Sequence, residues 1–178
     1  MVKLTSLFAR IDMQGIPEQI KLFNFAKKNL SFSQTYQVRD FPRVSDILSN
    51  VDDEINVELD FYLLENKIPC IKGSIELNAQ LKCQRCLDDV AIELAPKFNL
   101  AFIANEQQAQ ELDSSLETVL FQEEELSTIE FLTDEVLISI PMIPMHEHAC
   151  VDLETNQDFD EQKRENPFAI LKELKTRH

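Results

Sequence analysis

The chain has 178 residues, of which 44% are hydrophobic and 28% charged, a composition typical of one globular domain with its own core. It contains only two glycines, Gly15 and Gly73. Loops that cradle phosphates need several glycines, so this scarcity excludes a P-loop and a dinucleotide-binding fingerprint. No apolar run reaches the roughly 18 residues of a membrane-spanning helix, and the N-terminus lacks a signal-peptide pattern. We therefore expect a cytoplasmic protein with reduced thiols.

The net charge of −15 is unevenly distributed along the chain. Residues 1–50 carry seven lysines and arginines against four acids, whereas residues 98–162 contain 16 acids and neither lysine nor arginine. Such an acidic surface repels the phosphates of nucleic acids and suits a basic protein partner, although an acidic excess also serves solubility alone. Any direct RNA contact is therefore expected in the N-terminal third.

Two helices are predicted in the N-terminal third of the chain. The segment 17–30 begins with a proline, which suits a first helical turn, and its apolar residues recur at helical spacing. A second, short helix is predicted after Pro42, with Val44, Ile47 and Leu48 on its apolar side.

The middle of the chain changes to the alternation that is typical of strands. In residues 54–65, EINVELDFYLLE, apolar and polar side chains alternate, and the pattern returns in 71–81 and in 90–102. Short turns join these segments, so we predict an antiparallel meander with one face exposed to water. Pro96 interrupts the last segment and is expected at a bulge or an edge, because it cannot donate to a ladder. Cys70 is interpreted as a small core or edge residue.

An acidic loop and a further helix are predicted after the strands. Residues 104–126 lose the alternation, and we expect a partly ordered acidic loop with a short apolar piece that begins at Val119. Ser127 and Glu130 form the S-x-x-E pattern of a capping box, ahead of a helix that Pro141 ends. Together these elements predict the α+β class, an antiparallel β-meander packed with a few helices.

The C-terminal end of the chain is predicted to be a separate piece. We expect a single α+β domain over residues 1–150, and a polar, flexible tether with a short amphipathic helix over residues 151–178. Asn166 is the predicted N-cap of this helix. One side of the helix is apolar, with Phe168, Leu171 and Leu174. This side either binds a partner or packs on its own domain, and the sequence favours neither.

Two cysteines in the stretch KCQRCLDD, Cys83 and Cys86, lie where the second strand turns into the third. A C-x-x-C pair in a tight turn can present two thiolates to one zinc ion, and Cys150 with His146 or His148 would complete the four ligands. The second half of this set is not a C-x-x-C, so the pattern is weaker than that of paired zinc knuckles. A thiol-disulfide redox pair and thiols that only pack at the end of the sheet stay open as alternatives.

Three separated motifs together resemble a known family. KCQRCLDD after a strand, then TDEVLISIPMIPMHEHAC, then NPFAILKELK near the C-terminus are similar, in this order, to the bacterial YceD family, the large ribosomal RNA subunit accumulation proteins. The resemblance implies a role in the synthesis, processing or stability of large-subunit ribosomal RNA in the cytosol, with no catalytic activity assigned. Some members of that family carry more cysteines in the second cluster than this chain does.

We therefore expect a non-enzymatic factor in ribosome biogenesis. Its acidic face would meet a ribosomal protein or an assembly factor on the large-subunit precursor, and neither a membrane nor a small-molecule substrate is expected. The candidate partner-binding residues are Glu123, Glu124 and Glu125 together with the apolar side of the C-terminal helix. An RNA-processing enzyme and a thiol-redox or zinc-binding structural protein are the alternatives. The sequence shows no recognisable nuclease or paired-carboxylate constellation.

Overall fold

A computed structural model of the protein describes residues 11–64, 67–110, 112–113, 116–123 and 125–151. The contacts within the chain divide it into two units, residues 1–148 and 149–178, and of the second unit the structure describes residues 149–151. The tether and helix predicted over 151–178 lie, apart from Val151, outside the described residues. The predicted domain boundary therefore stays a prediction.

The described residues form strands and short helices. The strands are β1 (Ile11–Gln14), β2 (Gln19–Ile20), β3 (Leu30–Gln37), β4 (Glu54–Leu63), β5 (Pro69–Lys82), β6 (Asp89–Leu94), β7 (Lys97–Ile103), β8 (Glu117–Leu120) and β9 (Leu126–Ser127). The α-helices are α1 (Leu22–Lys27), α2 (Pro42–Ser45), α3 (Glu106–Gln110) and α4 (Thr128–Ser139), and a 3₁₀ turn covers Val38–Asp40. The predicted α+β class is confirmed.

Seven of the described strands form one mixed sheet in the order β1-β3-β4-β5-β7-β8, and β6 also pairs with β5. The centre is the predicted antiparallel meander, since β4 pairs with β3 and β5, while β6 and β7 share the long strand β5. Pro96 separates β6 from β7, and its carbonyl accepts a hydrogen bond from the Ile75 N–H at 3.1 Å. The two edge pairs, β1 with β3 and β7 with β8, are parallel.

One face of this sheet forms the main core, because the alternation in β4 and β5 places every second side chain there. The buried residues of these two strands include Ile55, Val57, Leu59, Phe61, Ile71, Ile75, Leu77, Ala79 and Leu81. Helix α1 adds Phe25, whose ring lies 5.4 Å from the rings of Phe32 and Phe61. Helix α4 adds the buried side chains of Leu132 and Val136.

Cys70 lies in a second, smaller cluster, on the opposite face of the sheet from its neighbour Ile71. Its fully buried side chain belongs with Ile68, Ala101 and Ile103, and the partly buried Ala109 of α3 packs against them. The prediction of Cys70 as a small core residue is confirmed. Of the described helices, the longest, α4, has 12 residues, and none is both long and apolar enough to cross a membrane.

The helix predicted over 17–30 is much shorter in the structure, where only Leu22–Lys27 is α-helical. Ile20 instead pairs with Leu126, so β2 precedes the helix. At the other end Asn29 has a φ of +50°, which ends the helix before β3 begins. The short helix predicted near Pro42 forms as α2, with Val44 buried, but it ends at Ser45. Ile47 and Leu48 therefore lie beyond the helix, and Ile47 is exposed rather than on a buried apolar side.

Two further predictions are wrong in detail. The capping box does not form, since the side chain of Ser127, the N-cap residue of α4, makes no capping hydrogen bond. At the same end of the helix, the Thr128 hydroxyl instead donates to the Pro17 carbonyl. The loop predicted over 104–126 contains α3 and β8, since Val119 pairs in register with Phe102 and adds an edge strand to the sheet. Helix α4 itself is confirmed, and it ends at Ser139, just ahead of Pro141.

Candidate functional site

The pair Cys83 and Cys86 lies, as predicted, in the loop that joins β5 to β6. Two backbone hydrogen bonds of 2.9 Å close this loop, from the Cys83 N–H to the Asp88 carbonyl and from the Leu87 N–H to the Cys83 carbonyl. Leu87 has a φ of +67°, a left-handed conformation that lets the chain turn back into β6. Inside the loop, the Arg85 N–H donates to Cys83 Sγ at 3.4 Å. We call residues 83–88 the cysteine loop.

The segment that follows α4 lies against the cysteine loop through backbone contacts. The Gln84 N–H donates to the Pro144 carbonyl at 2.8 Å. The Arg85 guanidinium donates to the carbonyl oxygen of His148 at 3.1 Å and to that of His146 at 3.5 Å. These bonds bring together residues that are distant in sequence, so that Cys86 Sγ and His146 Nδ1 lie 3.5 Å apart.

The ring of His146 is oriented from its other side by the backbone of β6. Its Nε2 atom lies 3.1 Å from the carbonyl oxygen of Asp89. Because a carbonyl oxygen only accepts hydrogen bonds, this contact favours the tautomer with the proton on Nε2, which leaves Nδ1 on the side of Cys86 as a possible metal ligand. Histidines that bind metals usually donate their second ring nitrogen to a carbonyl or carboxylate in this way.

The thiol of Cys83 is acidic although it is buried. Desolvation by itself raises the pKa of this thiol, but hydrogen bonds from the backbone N–H groups of Cys86, Arg85 and His146 and from the Cys86 thiol outweigh it. The pKa of Cys83 is therefore lowered from its ordinary value of 9.0. The thiolate, which these donors favour, is the form of cysteine that binds metal ions.

Cys70, at the other end of β5, provides an internal contrast. Burial raises the pKa of its thiol to about 11, and the hydrogen bond with Tyr62 offsets this only in part. One strand therefore begins with a thiol whose pKa is raised by burial and ends next to a thiol whose pKa is lowered by hydrogen bonds.

The donor atoms of Cys83, Cys86 and His146 all lie within 4.8 Å of one another. One imidazole and two thiols are ligands that suit the tetrahedral coordination of a structural zinc ion. Cys83 is buried, and Cys86 and His146 are half-buried. Cys150, the fourth predicted ligand, belongs to the second unit, and its role stays a prediction. His148, the alternative histidine in the sequence prediction, is exposed and is not part of this set.

The sequence does not predict the roles of Arg85 and Asp89 in this arrangement. The position of Arg85 between the two cysteines is a visible signal, but the carbonyls that it binds come from a segment that follows α4. Asp89 orients His146 through its backbone carbonyl, which has no signature in the sequence. The Asp89 carboxylate is itself fixed by Lys82 Nζ at 2.8 Å and by the Ser49 hydroxyl at 2.9 Å.

Two of the predicted partner-binding acids, Glu123 and Glu125, are described and exposed. Both line clefts that also include Phe102 and Phe121, and Glu125 forms an ion pair of 3.2 Å with Lys21. The remaining candidates lie outside the described residues, and their role stays a prediction: Glu124, Phe168, Leu171 and Leu174.

Comparison with known proteins identifies relatives of the chain. The sequence model of the family described as "Large ribosomal RNA subunit accumulation protein YceD" matches residues 71–175, a stretch that contains the cysteine loop and both His146 and Cys150. The chain belongs to the YceD family. A curated YceD relative from Haemophilus influenzae, "Large ribosomal RNA subunit accumulation protein YceD", is 30% identical over 168 residues, which cover 90% of this chain and 96% of the relative.

Membership of the YceD family confirms the resemblance that the three sequence motifs indicate. The family takes its name from accumulation of the large ribosomal RNA subunit, and membership connects the chain with that process. No solved structure matches the chain.

Proposed function

We propose that this protein is a non-enzymatic, cytoplasmic factor that supports the accumulation of large-subunit ribosomal RNA by binding a protein of the precursor particle. The observation that carries the proposal is the match to the YceD family over residues 71–175. The charge of the chain supports a protein partner over RNA, because residues 98–162 have 16 acids and neither lysine nor arginine. Ribosomal proteins and many assembly factors are basic, so they complement such a surface.

Depletion of the protein tests this proposal. We expect sucrose gradients of depleted cells to show loss of the large subunit with a normal small subunit, together with less mature large-subunit RNA. Re-expression of the wild-type chain should restore both. A depleted strain with an unchanged gradient and unchanged RNA would contradict the proposal.

The absence of catalysis needs a separate experiment, in which purified protein is incubated with precursor RNA. We expect the RNA to stay intact. Cleavage that copurifies with the protein and is lost in a cysteine-loop variant would favour the RNA-processing alternative instead.

We also propose that Cys83, Cys86 and His146 hold a structural zinc ion, with Cys150 as the fourth ligand that the sequence predicts. The support is the close approach of the first three donors, the lowered pKa of Cys83 and the orientation of the His146 ring by the Asp89 carbonyl. A bound zinc ion would link the cysteine loop to the segment after α4 without taking part in a reaction. The protein's own contribution is to hold the thiolates and the Nδ1 lone pair of His146 close together.

Metal analysis of purified variants tests the zinc proposal. The wild-type chain should carry about one zinc ion per molecule, as one closed four-ligand site predicts. Cys83→Ser and His146→Ala should lose that zinc and melt at a lower temperature. The matched controls, Cys70→Ser and His148→Ala, replace the same residue types outside the donor set and should keep it. Metal-free wild-type protein of normal stability would contradict the proposal, and reduction of insulin disulfides by it would favour a redox role.

A further inference from the structure

A cleft of about 330 Å³ lies between the β8 edge of the sheet and helix α4. Its floor is apolar and largely aromatic, formed by Phe102 of β7, Phe121 just beyond β8, and Phe131 of α4. The ring of Phe102 has its centroid 5.8 Å from that of Phe121 and 6.4 Å from that of Phe131, both edge to face. The cleft therefore offers a shaped apolar surface next to an edge strand.

The rim of this cleft is formed by carboxylates, and no lysine or arginine is among its described lining residues. The acids of the rim are Glu123, Glu125, Glu130, Asp134 and Glu135. Two cations reach its margins, where Lys21 pairs with Glu125 and Arg43 pairs with Asp134. Glu123, Glu130 and Glu135 have no cationic partner among the described ion pairs. Within the part of the chain that the structure describes, three carboxylates therefore lie beside an apolar floor with no ion pair.

The pKa of Glu135 is consistent with this clustering of carboxylates on the rim. It is raised by desolvation first, and then by repulsion from Glu117 and Asp134. A cation that docks beside Glu135 would replace this repulsion with attraction, and would do so where water is partly excluded.

The cleft continues into a neighbour, which indicates the shape of the occupant. A second cleft, of about 480 Å³, shares Phe102, Phe121, Glu123 and Glu125 with the first and reaches α1. A single side chain would fill only part of the two joined clefts. An extended segment with several side chains matches them better, because alternate residues of such a segment face the floor and the rim.

We infer that this acidic cleft binds a short basic segment of a protein partner, in which lysine or arginine side chains flank one or two apolar side chains. The apolar side chains would contact the rings of Phe102, Phe121 and Phe131, and the cations would reach Glu130 and Glu135. This inference rests on the proposed function in so far as the partner is a basic protein of the large-subunit precursor. RNA suits the cleft poorly, because five carboxylates on the rim would repel its phosphates and the two cations at the margins are already paired with acids.

The test uses the full chain and a fluorescein-labelled peptide of alternating lysine and leucine, with binding followed by anisotropy. The variant Glu130→Gln/Glu135→Gln removes two rim charges and leaves both described ion pairs intact. The matched control, Glu76→Gln/Glu93→Gln, removes the same charge from an acidic pocket that has no aromatic lining. We expect the rim variant to bind the peptide about tenfold more weakly at low salt, since it lacks two carboxylates that attract the lysines of the peptide. The control should bind like the wild type.

A second peptide, of alternating lysine and serine, separates docking in the cleft from general charge attraction. We expect it to bind weakly to the wild type, because it has nothing to place on the aromatic floor. Equal binding of the two peptides, or equal weakening in the rim and control variants, would overturn the inference. Binding of poly-uridine RNA that is lost in the rim variant would overturn it as well.

These results can be distinguished from a failure of the proposed function. An unchanged sucrose gradient in depleted cells would contradict the proposed function, while peptide binding would still decide whether the cleft takes basic segments. If depletion does remove the large subunit, the rim variant should restore it less well than the control variant does.

Discussion

The centre of the sheet and the cysteine loop are stabilised in different ways, although strand β5 leads directly from one to the other. In the centre, Leu59, Gly73 and Phe98 pack without a gap, and burial of apolar surface supplies the stability. In the cysteine loop, Arg85 is exposed and the contacts are hydrogen bonds to carbonyls and sulfur. The first region should therefore determine whether the chain folds. The second should determine how closely the thiols of the cysteine loop approach the imidazole of His146.

The largest expected effect is the loss of a core side chain. Leu59 is 1% exposed, and Leu59→Ala should lower the free energy of unfolding by about 3 kcal/mol, because it removes apolar contacts and leaves a cavity. Denaturant unfolding measures the change. Leu120, which is 56% exposed on the edge strand β8, is the control, and Leu120→Ala should change the same quantity by less than about 0.5 kcal/mol. Equal losses in both variants would contradict the assignment of the core.

The next effect comes from adding a single methyl group at the centre of the sheet. A Cβ atom on Gly73 would lie 2.3 Å from Phe98 Cζ and 2.9 Å from Leu59 Cδ2. Gly73→Ala should therefore cost about 2 kcal/mol of unfolding free energy through overpacking. The double variant Gly73→Ala/Phe98→Leu should lose less than the two single changes added together, since it removes the ring that the methyl group meets. Strict additivity would mean that the ring and the glycine do not compete for space.

Much of the central sheet can be predicted from the sequence, because alternation in 54–65 and 71–81 reports directly which face is buried. The edge strand β8 could not be predicted, since it is short and its residues are mostly exposed, so no alternation marks it. The candidate site divides in the same way. Its cysteines are visible as a motif, but the choice of His146 over His148 depends on a backbone carbonyl of Asp89, which any residue at that position would supply.

A substitution in the cysteine loop should change the free energy of unfolding little and the zinc affinity strongly, unlike a substitution in the core. Arg85→Ala removes the guanidinium that bridges the carbonyls of His146 and His148, yet it should lower the free energy of unfolding by only about 1 kcal/mol, because the side chain is exposed. Zinc affinity should fall by roughly 10- to 100-fold, as for other residues that position metal ligands. Competition with a chromophoric chelator measures it.

The conservative variant Arg85→Lys sharpens this test. Lysine keeps the positive charge but lacks the planar fork that reaches two acceptors at once. We expect its zinc affinity to stay close to that of Arg85→Ala. Full recovery by lysine would show that charge, rather than the bridge between the two carbonyls, positions the segment.

The smallest expected effect is a dependence of the free energy of unfolding on pH, which should have opposite signs for Asp89, near the cysteine loop, and for Glu135, on α4. Near the cysteine loop, hydrogen bonds from Lys82 and Ser49 lower the pKa of Asp89, so its contribution to stability is present above the unfolded value of about 3.9 and is lost as the pH falls through the folded value. On α4, desolvation and the charges of Glu117 and Asp134 raise the pKa of Glu135. Its ionisation therefore costs stability as the pH rises above the unfolded value of about 4.3.

Substitution of each acid by its amide separates the two contributions. Glu135→Gln should raise the free energy of unfolding at neutral pH by less than about 0.5 kcal/mol, because solvent screens a half-buried carboxylate, and the gain should vanish in acid. Asp89→Asn should lower it at neutral pH and match the wild type in acid. Unfolding curves of the three proteins across the acid range measure both effects. If the two variants shift stability in the same direction at neutral pH, then α4 and the start of β6 do not differ electrostatically in the way that their ion pairs and carboxylates indicate.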